Sequence, residues 1–157
     1  MNDRRRHCLG LTLLLGLAFV APRAFADAPA TPEDAKALAD KAAAYLAEVG
    51  KDKAFAAFDN DPAWRDRDLF VYAYDFDGNC VANGGVKGLI GKNMLTLTDP
   101  VTGDKIVQTQ IAIAKTKGEG WHEYHFSNPA TKKIEQKKSY IKRVGDVYVG
   151  VGAYRAD

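Results

Sequence analysis

Residues Gly118–Tyr154 read GEGWHEYHFSNPATKKIEQKKSYIKRVGDVYVGVGAY. Three extended runs stand out: Trp121–Ser127, Glu135–Val144 and Val147–Tyr154. Each is rich in β-branched and aromatic residues, which suit a pleated, half-buried surface. Asn128–Lys133, with a proline after an asparagine, separates the first two runs, and Gly145-Asp146 is short enough for a tight hairpin between the last two. Three antiparallel strands in succession make a meander. This meander is expected to form the larger part of one sheet, whose concave face lines any pocket.

Working back from the meander, Asp104 through Ala114 places Ile106, Val107, Gln110, Ile111 and Ala114 at helical spacing, with Gly118 and Gly120 ending the helix. Gly84–Asp99 is glycine-rich and irregular. Leu69–Phe76 (LFVYAYDF) reads as a strand with Tyr72, Tyr74 and Phe76 on one face and Val71 and Ala73 on the other. Asp77-Gly78-Asn79 is a turn, and Cys80–Asn83 returns as a short strand. Further upstream, Thr31-Pro32-Glu33-Asp34 starts a helix: Thr31 caps, Pro32 fits the first turn and the acids suit the positive end of the dipole. Its apolar stripe runs from Ala35 to Val49, it stops at Gly50, and a shorter helix covers Lys51–Phe58. Asp27–Ala30 reads as a flexible leader. Helix, two strands, irregular segment, helix and three strands make an α+β chain. A long N-terminal helix ahead of a five-stranded antiparallel sheet with flanking helices points to a PAS-like fold.

The first 26 residues are read as an export signal. Arg4-Arg5-Arg6 is a basic start, Leu9–Val20 an apolar run too short to span a bilayer, and Ala24-Phe25-Ala26 a small-x-small cleavage site. Cleavage after Ala26 removes four arginines and one aspartate. The 22 basic and 20 acidic residues of the whole chain fall to 18 and 19, and the formal charge moves from +2 to −1. The basic balance thus belongs to the leader and gives no reason to expect nucleic acid or membrane as a partner. Residues 27–157 form a single domain with one cysteine, Cys80, read as a small buried residue at a strand start.

Several chemistries fail on spacing. His122 and His125 are three apart on a strand and face opposite ways, so no metal site is expected. Gly91-Lys92 lacks the upstream glycine and following Ser/Thr of a phosphate loop. Asp75-x-Asp77-Gly78 has no glutamate at the distance a calcium loop needs. No nucleophile stands in pattern with a histidine, so no catalytic residue and no cofactor is proposed.

The order of several pieces resembles the single Cache domains, extracellular PAS-like sensor modules of bacteria. Leu69–Asn79 is similar to the family's opening strand and turn, and Leu89-Ile90-Gly91-Lys92-Asn93 to its l-v-G-k-n segment. Gly120-Trp121 with Tyr124-x-Phe126-x-Asn128-Pro129, then Lys137-x-Ser139-Tyr140, then Val149–Tyr154 resemble its last three strands. The likeness runs from Ala35 to Tyr154. It departs at Asn83, near where a histidine often stands, and at Phe126, where tryptophan is common. Family members often sit between two membrane helices; here the chain stops three residues after Tyr154, so a stand-alone secreted or periplasmic protein is expected, handing its state to a separate membrane receptor.

The resemblance implies a pocket for a small organic acid, often a short carboxylate, between the sheet and Gly84–Asp99. Lys137 would pair with the acid, with Trp121, Tyr124, Tyr140, Tyr72 and Tyr74 as walls and hydroxyl donors. Glu123 or Glu135 would also supply Lys137 with a negative partner, and the alternative is a lysine that points to solvent, as most strand lysines do. Alternation puts Lys137 and Tyr140 on opposite faces of a regular strand, so either the strand is bulged or one of them leaves the pocket. The expected function is non-catalytic sensing or capture of a solute; an interaction protein with a vestigial pocket is the alternative, and an enzyme a more distant one.

Overall fold

The computed structural model describes residues 28–155, and the leader read at residues 1–26 lies outside them. Helix α1 (Pro32–Val49) opens on a capping box: Thr31 Oγ1 accepts from the Asp34 N–H at 3.1 Å, and the Asp34 carboxylate accepts from the Thr31 N–H at 3.0 Å. Gly50, at φ +81°, ends α1 and leads directly into α2 (Lys51–Asn60). The segment before α1 is anchored at its end, not free: Ala30 is buried and its N–H donates to Asp68 at 3.2 Å.

The predicted strand over 69–76 is divided. Strands β1 (Arg65–Asp66) and β2 (Leu69–Phe70) form a small hairpin of their own, turned by Arg67 at φ +55°. Strand β3 (Tyr72–Asp75) then enters the main sheet beside β4 (Cys80–Asn83). After the irregular segment, helix α3 (Ile106–Thr116) leads to β5 (Glu119–Ser127), β6 (Ile134–Val144) and β7 (Val147–Arg155). The five strands lie in the order β4-β3-β7-β6-β5, all antiparallel. Two strands, a crossover bearing α3 and a meander give the PAS-like α+β architecture that the sequence pattern predicted.

Alternation along the strands sorts two cores. Val71, Ala73, Tyr140, Val149 and Val151 face α1 and α2. Phe70, Tyr72, Tyr74, Ile141, Tyr148 and Tyr154 face α3 and the irregular segment. That segment is held by short polar ties in place of a ladder. Asn83 Oδ1 accepts from the N–H groups of Gly85 and Val86, at 3.1 and 2.7 Å. Buried Asp99 accepts from the N–H groups of Val101, Thr102 and His125, at 2.8, 3.1 and 2.7 Å, and lies 3.1 Å from His125 Nδ1. These bonds hold its carboxyl far below the usual range against the opposing effect of burial. Cys80 is buried at the head of β4.

Candidate functional site

The sequence of β7 builds the site floor. Val147, Val149, Val151 and Ala153 point toward α1, so Tyr148, Gly150, Gly152 and Tyr154 point the other way. The two glycines leave troughs. A Cβ on Gly150 would stand 2.5 Å from Tyr72 Oη, and one on Gly152 would collide with Ser139 Oγ and lie 2.7 Å from Lys137 Cε. Tyr72 and Lys137 therefore lie flat across the sheet, where any other residue in β7 would lift them.

Lys137 sits in β6 between Tyr124 of β5 and Tyr154 of β7 in strict register. Its side chain is 2% exposed. Nζ donates one long hydrogen bond, 3.4 Å, to Tyr154 Oη, whose own proton goes to the Ser127 carbonyl at 3.1 Å. The ammonium also lies 4.2 Å from the Phe70 ring centre, 4.5 Å from that of Tyr154 and 5.7 Å from that of Tyr72. Among the described residues no carboxylate comes within ion-pairing distance. Glu123 pairs with Lys138 at 2.9 Å, and Glu135 accepts from Asn128 and Thr131, each at 2.6 Å. Burial pushes the Lys137 ammonium down to about 7, with only a distant pull from Asp68 in the other direction.

Other polar groups converge on the same hollow. Tyr124 Oη and Ser139 Oγ share a hydrogen bond of 3.1 Å. Tyr148 donates to Gln110 Oε1 at 3.0 Å, and Gln110 Nε2 approaches His122 Nδ1 at 3.4 Å. Tyr72 Oη is buried and has no partner among the described residues. Leu89 and Leu97 from the irregular segment, with Ile106 and Val107 of α3, close the far side. The hollow amounts to about 30 Å³, room for a water or two and little more.

The structure thus brings together Lys137, Tyr124, Tyr72 and Tyr74. It places Trp121 and Tyr140 elsewhere, which corrects their inclusion as pocket walls. Strand β6 is unbulged: its pairing with both neighbours runs without a register shift. Period-two alternation then sends Tyr140 to the α1 face, where Lys36 covers its ring at 4.6 Å. Trp121 meets Tyr140 edge-on at 4.9 Å and is 38% exposed. The sequence reading gave no site role to Phe70, Gln110, Ser139 or the two glycines. The Val-Gly-Val-Gly alternation of 149–152 was the available signal, because small residues on one face of a strand mark close approach.

A Cache domain family model (dCache_2) matches residues 47–157. The sensor histidine kinase MctS of Rhizobium johnstonii is 37% identical over 93 residues, 58% of this chain. The match spans only about 20% of the kinase. A methyl-accepting chemotaxis protein of Vibrio parahaemolyticus superposes with a TM-score of 0.67 at 20% identity, over 78% of this chain and 86% of its own. A Cache chemosensory domain, solved as a basis for carboxylic acid recognition, gives a TM-score of 0.62 at 18% identity over 79% and 88%. These structural likenesses establish a shared fold. Among the described residues no helix is long and apolar enough to cross a membrane, and no three His, Cys, Asp or Glu side chains gather as a metal site would require. With the family match covering all five strands of the main sheet, the chain belongs to the Cache domain family of extracellular small-molecule sensing modules.

Proposed function

We propose that this domain senses a short-chain carboxylate, without catalysis, and that Lys137 is its anion receptor. The observation that carries the reading is a buried lysine with no acidic partner, set in one hollow with an orphaned tyrosine hydroxyl. Burying a cation without a counter-charge is costly, and burying a hydroxyl without a partner adds to the cost. A carboxylate answers both: one oxygen takes the ammonium, the other accepts from Tyr72. The carboxylic-acid-recognising Cache domain among the structural relatives supports the ligand class, and the kinase relative supports a signalling role. Export directed by residues 1–26, with 27–157 as the mature domain, and delivery of the bound state to a separate membrane receptor complete the proposal.

Thermal unfolding across acetate, propionate, lactate, pyruvate and C4 diacids tests it. A ligand at about 100 times its Kd adds about 2.7 kcal/mol, so a clear rise in Tm is expected with at least one acid. A second reading, an interaction module whose pocket is vestigial, draws on the narrowness of the hollow. No shift with any acid, together with retention of a partner protein, would establish that reading instead.

A further inference from the structure

A second cavity, of about 200 Å³, opens beside the Lys137 hollow. Arg65, Arg67 and Asp68 stand on one side of it, with Gly84-Gly85 and Asn128–Ala130 on the others. Phe70 alone lines both cavities. Its ring is seated on Gly85, where a Cβ would stand 2.5 Å from the ring, and its face covers the Lys137 ammonium at 4.2 Å. Of the three rings around the ammonium, that of Phe70 lies nearest. Phe70 is placed on β2, a two-residue strand of the small hairpin outside the main sheet. Its ring is held by packing on Gly85 and by the contact with the Lys137 ammonium.

We infer that Phe70 is the movable partition of a two-chamber site: its ring caps Lys137, and a carboxylate displaces it, seating its head group at Lys137 and its alkyl tail in the outer chamber. The inference rests on the carboxylate reading above and adds what sets the length of acid accepted. The inner hollow is too small for even a short acid with the ring in place. Joined, the two chambers approach the lower end of ordinary ligand pockets, about 300 Å³. The exchange is favoured electrostatically, because the carboxylate's full charge replaces the ring's weaker negative face against the same ammonium.

Two measurements on Phe70→Ala, and on Phe70→Leu as the milder change, test this. The first needs no ligand: pulsed reductive methylation with formaldehyde and a borane, which releases no carboxylate, read at each lysine by peptide mass spectrometry. Lys137 labelling should rise by about tenfold or more relative to exposed Lys53, while the other lysines hold steady. The second is titration with straight-chain acids from acetate to hexanoate. Each methylene newly buried should raise affinity about fourfold, moving the preferred acid to longer chains. Lys137 labelling that is unchanged in both folded variants overturns the partition. Increased labelling with an unchanged chain-length preference overturns its role in selectivity. Increased labelling with no acid bound by any form upholds the partition and overturns the carboxylate reading, so the two failures are distinct.

Discussion

Lys137 and Lys142 lie on one strand and have opposite circumstances. Lys142 faces α1 with its ammonium 2.6 Å from Asp40 and 3.0 Å from Glu119, a third exposed, and those acids hold its proton more firmly than usual. Lys137 faces α3, is buried, and has only aromatic rings and one long hydrogen bond. The same contrast holds for the two faces of the sheet. Toward α1 the core is alanines, valines and leucines with Phe58, Trp64 and Tyr140, and ion pairs are confined to the rim. Toward α3 the contacts include tyrosine hydroxyls, Gln110, Ser139 and an amine with no carboxylate partner among the described residues. A face built for stability satisfies its charges within the chain. The other leaves a cation and a hydroxyl wanting, and such a deficit is what a ligand can fill.

Replacing each lysine breaks the comparison most directly. Lys137→Met should abolish any carboxylate-induced rise in Tm while leaving the ligand-free protein as stable as before or more so, by about 1–4 kcal/mol. Chemical denaturation with and without the acid checks both halves; a destabilised variant would show that the amine serves the fold. Next in size, Gly152→Ala should cost about 1–3 kcal/mol from overpacking against Ser139 and Lys137, and should weaken the acid by lifting the amine. A urea melt paired with a titration separates the two effects.

The pH response sharpens the contrast further. The folded state holds the Lys137 proton with a value lowered to about 7, below the ordinary lysine value of 10.5. Between those values the unfolded chain binds the extra proton, so this group makes stability rise with pH from about 7 to about 10.5. The same proton is needed by a bound carboxylate, so acid affinity should fall over the same rise. Calorimetry in buffers of different ionisation heat should show proton uptake on binding, and Lys137→Met should flatten both profiles. The smallest effect belongs to Lys142→Met: about 1 kcal/mol or less, as for a surface pair, with ligand response intact. Loss of binding there would blur the distinction between the faces.

Much of the fold was legible because it rests on local patterns. The capping box at Thr31, the Gly145-Asp146 hairpin and the alternation of Tyr72 and Tyr74 with Val71 and Ala73 each specify structure over a few residues. The division at Val71 was not legible, since β1–β2 pairing depends on the backbone of Arg67 adopting a left-handed turn that arginine seldom favours. The site was legible in part. Alternation already opposed Lys137 to Tyr140, and the unbulged register sends Tyr140 and Trp121 away.

From residue order alone came the strand and helix types, the meander, and the face each side chain takes within its own strand. Those follow from backbone periodicity and turn chemistry, which act over a few residues. Which face holds the hollow, that Lys137 has no carboxylate partner among the described residues, and that Phe70 covers it depended on how α1, α3 and the 84–105 segment pack. Burial and electrostatic isolation are set by neighbours far along the chain, and no local pattern encodes the distance between them.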